Sequence, residues 1–138
     1  MTAGGWLLVR AGERRVGLML EQVVEVLDLG PVHPVPSVDP AVRGVTRSRG
    51  RLVPLVHLAT LLGGTAGQGG TAVLVRFDDR RLCIEVDDAE EVLRESGLPV
   101  PPDVSLPFAV AVARRADGVV PLLDLSALGT RIAETATP

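Results

Sequence analysis

The chain has 138 residues with 14 Lys+Arg against 17 Asp+Glu, a net charge of −3, and a 46% hydrophobic content in which Trp6, Phe77 and Phe108 are the only aromatics. Every basic residue is arginine, which excludes a Schiff-base or phosphate-loop lysine, and a mildly acidic chain with so few stacking side chains argues against nucleic-acid binding. The longest apolar run, Leu52 to Leu62, is broken by Pro54 and His57 and falls far short of the ~20 residues of a membrane span; Met1 to Leu8 lacks the basic start of a secretory signal, and the single Cys83 fits a cytoplasmic protein.

In chain order, Val9 to Val16 reads as a hairpin, two apolar runs around a polar Gly12-containing turn. Val16, Leu18 and Leu20 share one parity and are expected to face a core. Glu21 to Leu29 fits either a helical stripe or a strand, and its β-branched content with Pro31 behind it favours strand. Pro31, Pro34, Pro36 and Pro40 mark an extended surface connection, since proline has no amide hydrogen for a sheet. Two strands follow around Gly44 to Arg47 and Leu52 to Val56, joined by a Ser48-Arg49-Gly50 turn, and then a short helix at His57 to Leu62.

After a glycine-rich linker, residues 63–70, the same series begins again. An offset of 66 superposes Leu7 to Leu27 on Val73 to Leu93 with 8 identities in 21, among them Arg14-Arg15 on Arg80-Arg81 and Glu25-Val26-Leu27 on Glu91-Val92-Leu93. An offset of 67 puts Val53-Pro54-Leu55 on Val120-Pro121-Leu122. The second half is therefore expected to hold a hairpin over Val75 to Leu82, a core-facing Leu82, Ile84 and Val86, a proline-rich stretch at Pro99 to Pro107, strands at Ala109 to Arg114 and Val119 to Leu123, and a helix from Ser126, its cap, to Ala133. The expected architecture is mostly β: two small tandem barrels in one domain, subdomain 1 over about 6–62 and subdomain 2 over about 71–133, each closed by a short helix.

Reactive chemistry is sparse. His57 and its repeat partner Asp124 would form a catalytic or ligand-binding pair only if they met in one pocket; the plainer expectation is that each caps the helix behind it. His33 reads as an exposed loop residue, and two histidines and one cysteine lack metal-ligand spacing. Cys83 has no basic neighbour to lower its pKa and reads as a small buried thiol. The acidic run Glu85, Asp87, Asp88, Glu90, Glu91 lacks the glycine and alternation of a calcium loop and reads as a solvated strand face. No metal, cofactor or catalytic set emerges, which leaves a non-enzymatic module that works through its surface.

The run Gly44-Val45-Thr46-Arg47-Ser48-Arg49-Gly50-Arg51-Leu52-Val53-Pro54-Leu55-Val56-His57-Leu58, preceded by Glu25-Val26-Leu27 and a proline-rich excursion, resembles the CheW family of chemotaxis coupling proteins. Val86-Asp87, Glu91-Val92-Leu93 and Gly118 to Leu128 extend the resemblance over almost the whole chain. It implies two five-stranded, SH3-like barrels and an adaptor that joins the cytoplasmic tip of chemoreceptors to the regulatory domain of a CheA-type histidine kinase. Carried over by position, the receptor contact implied is Val23, Glu25, Gly44, Arg49 and Gly50, with Glu25 and Arg49 able to pair and the two glycines admitting a partner helix. Arg47-Ser48, His57 and Ala111 depart from the family pattern, which leaves open a partial coupler that has lost its kinase surface.

Overall fold

The computed structural model describes residues 4–37, 39–64, 69–77, 79–103, 108–116 and 118–126. The alternating apolar runs form eleven strands: β1 (Trp6–Ala11), β2 (Arg14–Met19), β3 (Val23–Asp28), β4 (Val32–His33), β5 (Val42–Ser48), β6 (Arg51–His57), β7 (Thr71–Phe77), β8 (Arg80–Val86), β9 (Asp88–Leu93), β10 (Ala109–Arg115) and β11 (Gly118–Leu123). One 3-10 turn, Leu20–Gln22, precedes β3, and one short helix, α1 (Leu58–Leu61), follows β6. The ambiguous segment after β2 is thus a strand. The expected second helix begins at Ser126, and its remainder lies outside the described residues.

Hairpin turns form where the sequence predicts them. Gly12 takes φ 65°, and Arg49 and Gly50 take φ 50° and 77°, two successive left-handed residues that match the twist of the strands they join. Gly118 takes φ 137° at the start of β11.

The strands make two sheets, ordered β10-β11-β2-β1-β9 and β3-β7-β8-β6-β5-β4. The expectation of one barrel per half of the sequence does not hold. Hairpin β1–β2 pairs with β9 and β11 of the second half, and hairpin β7–β8 pairs with β3 and β6 of the first. Each half gives its hairpin to the other. The physical reason lies in the repeat itself: both hairpins have nearly the same length and the same apolar parity, so either fits either sheet, and the short link from β2 to β3 carries the chain across.

The duplication is visible at the level of register. Leu55 pairs with Cys83 in parallel across β6 and β8, and Leu122 pairs with Gly17 across β11 and β2. A bulge falls between Val23 and Glu25 on β3, and its counterpart falls between Ala89 and Glu91 on β9. Strand pairing leaves both sheets open, yet the edge strands β3 and β4 are separated in the chain only by Leu29-Gly30-Pro31. In the other sheet Leu98, just beyond β9, bridges to Val112 at the opposite edge.

The largest core lies between the sheets. It includes Val9, Val16 and Leu18 from one sheet with Val56, Val75, Leu82, Ile84 and Val86 from the other; of the residues the sequence assigns to a core by parity, Val16, Leu18, Leu82, Ile84 and Val86 are buried in it and Leu20 packs against it partly buried. Smaller clusters fill the far face of each sheet: Trp6, Leu8, Leu93 and Leu122 in one, Val53, Leu55, Leu74 and Cys83 in the other. The shared cluster holds most of the buried aliphatic side chains, so the sheets hold each other together more than either holds itself.

Candidate protein-docking site

Glu25 and Arg49 meet. Glu25 lies on β3 just past its bulge. Arg49 projects from the β5–β6 turn at the far side of that sheet, and its Nε donates to Glu25 Oε2 at 2.6 Å, with an ion pair through Nη2 of the same guanidinium. The side chains of Arg49 and Glu25 remain 59% and 31% exposed, so the pair is a surface feature that links the edge strand β3 to the β5–β6 turn. Exposed pairs of this kind contribute only about 0.2–1 kcal/mol to folding, which leaves their charge available to orient a partner.

The other three predicted contact residues are placed differently. Gly50 is exposed in the turn, and a Cβ built on it meets nothing within 4 Å. Val23 is half-buried and packs against the core between the sheets. Gly44 is buried at φ +140°, where a Cβ would stand 2.2 Å from the His33 carbonyl oxygen and 2.9 Å from Pro34 Cα. The approach of β4 by itself requires glycine at this position, and Thr46 Oγ1 donating to Pro31 O at 3.0 Å holds that segment in place. The repeat partner Ala111 carries a Cβ because the glycine has moved across the contact: Gly97, at φ +85°, faces it, and a Cβ there would stand 2.9 Å from that of Ala111.

His57 and Asp124 do not converge. His57 Nδ1 accepts from Thr60 N at 3.3 Å and lies 2.8 Å from Thr60 Oγ1, the expected cap of α1. Asp124 Oδ1 accepts from Ser126 N at 3.0 Å and from Gln22 Nε2 at 3.3 Å, and these bonds, the backbone one first, hold its carboxyl below the usual range against the opposing effect of burial. Their main chains repeat one geometry, His57 N to Ala41 O and Asp124 N to Phe108 O. Neither residue lines the 430 Å³ cleft at Trp6, Met19 and Arg94 or the 340 Å³ cleft at Val26, Asp28 and Asp88.

The acidic run is only partly a solvated face. Asp87 accepts from Gly12 N at 3.0 Å and from Gly69 N at 2.7 Å, tying both hairpins to one loop. Glu90 pairs with Arg15 at 3.1 Å and Glu91 with Arg115. Glu85, contrary to expectation, is buried; Arg43 Nε stands 3.8 Å from its Oε1, which makes no hydrogen bond. Among the described residues no group of three or more His, Cys, Asp or Glu could hold a metal ion. Cys83 is buried and free, and burial, reinforced by the charge of Glu25, pushes its thiol up to about 11. His33, expected in a loop, is exposed but paired in β4.

Gln22 escaped the sequence reading. It is buried, its amide nitrogen donates to Asp124 and to Ser126 Oγ, and its oxygen accepts from Leu125 N. A polar residue between Leu20 and Val23 in a strand-rich segment is the only signal it gives.

A surface built for contact, with no converging reactive groups, is what the family comparison accounts for. The CheW-like domain model matches residues 5–133. The chain belongs to the CheW-like domain family. A crystal structure of the scaffolding protein TtCheW from Thermoanaerobacter tengcongensis is similar in fold, with a TM-score of 0.77 at 19% identity over 88% of this chain and 89% of that one. No curated protein sequence matches significantly. As a CheW-like domain the chain is a chemotaxis coupling adaptor, and the reading of His57 and Asp124 as a small enzyme or ligand-binding pair has no support in their geometry.

Proposed function

We propose that this CheW-like adaptor works without catalysis in the cytoplasm, holding the cytoplasmic tip of a chemoreceptor at its Glu25–Arg49 face and the regulatory domain of a CheA-type histidine kinase elsewhere. The observation that carries the receptor reading is the ion pair itself, joining β3 to the β5–β6 turn at the positions the family resemblance marks. Gly50 beside it leaves room for a partner backbone. Val23 and Gly44 support this face from beneath. Each sheet forms a small SH3-like barrel in this reading, supported by the Leu98 bridge and by the short link between β3 and β4. No helix among the described residues is long and apolar enough to cross a membrane.

Titration of purified receptor-tip fragment and kinase regulatory domain, separately, tests the reading. Glu25→Arg places like charges together at Arg49 and is expected to weaken receptor binding at least tenfold while stability changes by about 1 kcal/mol or less. Kinase binding should be unchanged by it. Retention of receptor binding by well-folded Glu25→Arg refutes the assignment of this face, and receptor binding without any kinase binding identifies a partial coupler.

A further inference from the structure

Both hairpins carry the same pair of arginines. Arg10 stands directly opposite Arg15 across β1 and β2, and Arg76 stands directly opposite Arg81 across β7 and β8, the two pairs being related by the repeat offset of 66. Side chains directly opposite in an antiparallel pair share one face of the sheet, and like charges so placed are destabilising. Each pair needs a counter-charge.

In the five-stranded sheet the chain supplies one. Glu90, in the bulge of β9, pairs with Arg15 at 3.1 Å. The six-stranded sheet has its bulge in the same register, since Val23 and Glu25 meet Val75 and Leu74 as Ala89 and Glu91 meet Val9 and Leu8, but Val24 occupies the position of Glu90. It is 40% exposed. Arg81, the counterpart of Arg15, is half-buried, and its side chain makes no ion pair or hydrogen bond among the described residues. Arg76 reaches Asp79 only at 3.8 Å, and that carboxylate is 98% exposed. A half-covered guanidinium beside a like charge carries a folding cost that nothing among the described residues offsets.

The unbalanced pair lies beside Glu25. Glu25 and Cys83 both pair with Leu74, and Arg76 and Arg81 follow two residues nearer the turn, on the same side of β7 and β8 as Leu74 and Cys83. Because β6 and β8 run parallel, the β5–β6 and β7–β8 turns share that end of the sheet, and segments 47–51 and 76–81 together hold six arginines and two aspartates. In a chain of net charge −3 this end is positive.

We propose that Arg76 and Arg81 clamp an aspartate or glutamate side chain of the receptor-tip helix docked at Glu25 and Arg49, so that the partner brings the carboxylate that Glu90 supplies in the other sheet. The inference rests on the receptor reading of that face. The repeat states the chemistry of the occupant, since the equivalent arginine is satisfied by a glutamate, and two adjacent guanidinia can each donate to one carboxylate.

Substitution of Val24 decides it. Val24→Glu rebuilds the Glu90 position within this sheet and is expected to raise the thermal midpoint while weakening binding of a purified receptor-tip fragment about tenfold, with Val24→Gln staying within about twofold of the parent. Arg81→Gln is expected to weaken binding about tenfold, to flatten its salt dependence and to leave the thermal midpoint no lower than that of the parent. Arg10→Gln, at the neutralised pair, is expected to change nothing; an equal loss there reports unspecific charge attraction and overturns the clamp. Receptor binding within about twofold of the parent in well-folded Val24→Glu and Arg81→Gln also overturns it, and loss of binding in Glu25→Arg alone leaves the receptor reading standing. A lower thermal midpoint in Arg81→Gln with binding intact makes Arg81 structural and has the same effect. Inorganic phosphate that binds the parent, is lost in Arg81→Gln and does not compete with the receptor fragment gives the site to a small anion and overturns the occupant named here. Absence of any receptor binding by the parent overturns the receptor reading and this inference with it.

Discussion

Gly44→Ala separates a structural glycine from a partner-contacting one. At φ +140° an alanine sits in a region that costs of order 1–3 kcal/mol for a residue with a Cβ. The new methyl would also stand 2.2 Å from the His33 carbonyl oxygen, which is backbone and cannot rotate aside, so β4 must lift from β5. That displaces the Val32–Thr46 and His33–Val45 pairing, whose hydrogen bonds contribute about 1 kcal/mol each. The expected total is about 3–5 kcal/mol, a large share of the ~5–15 kcal/mol that holds a domain of this size together. In urea, with a slope of about 1–3 kcal/mol/M, the midpoint should fall by roughly 2 M. A midpoint within about 0.5 M of the parent, together with lost receptor binding, would refute the steric argument and return Gly44 to the contact surface.

The mirror-related contact offers an internal control: Gly97→Ala should destabilise through its positive φ and its approach to Leu122 Cδ1 at 2.8 Å and Ala111 Cβ at 2.9 Å, and adding Ala111→Gly should recover only the Ala111 share of the steric cost, read from the same urea midpoints. Gln22→Leu removes the acceptor for the buried Leu125 N–H and should cost about 1–3 kcal/mol, whereas an unchanged thermal midpoint would mean that solvent or a shifted loop takes over the bond. The thiol of Cys83 ionises near 9.0 when unfolded and at about 11 when folded, so its contribution is intact below 9 and is lost as pH rises toward 11. With neither lysine nor tyrosine in the chain that decline stands almost alone, about 2 kcal/mol of stability read from urea unfolding between pH 8.5 and 11, and it should vanish in Cys83→Ala. The depressed carboxyl of Asp124 works in the opposite direction: its contribution is present above the ordinary aspartate range and disappears as pH falls through its lower folded value, so Asp124→Asn should flatten part of the acid limb.

Much of this was legible in the amino-acid order because the deciding interactions were local. The hairpins, the left-handed Arg49-Gly50 turn, the cap at His57 and the core parity of Val16, Leu18, Leu82 and Ile84 each depend on a few neighbouring residues. Even the Glu25–Arg49 pair could be anticipated from its repeat context and family resemblance. The exchange of hairpins could not, since periodicity tells which face of a strand is apolar and not which of two equivalent sheets receives it. The crowding at Gly44 is invisible in the sequence for the same reason: it comes from His33, eleven positions away and brought close only by β4. Glu85 sits in an alternating pattern that predicts exposure, and Gly69 and Arg43 cover it only once the loop and β5 are in place.

The exchanged hairpins bear on how such a chain came to exist. A lone half of about 66 residues would lack the hairpin that completes its sheet in this arrangement. Two such halves could each complete a sheet by trading hairpins, as the two halves of this chain do. Joining two copies end to end makes that exchange intramolecular. The same geometry predicts that the chain cut between Gly64 and Gly69 yields two fragments that fold only when mixed, and that a linker too short to let both hairpins reach home would drive two intact chains to trade them again.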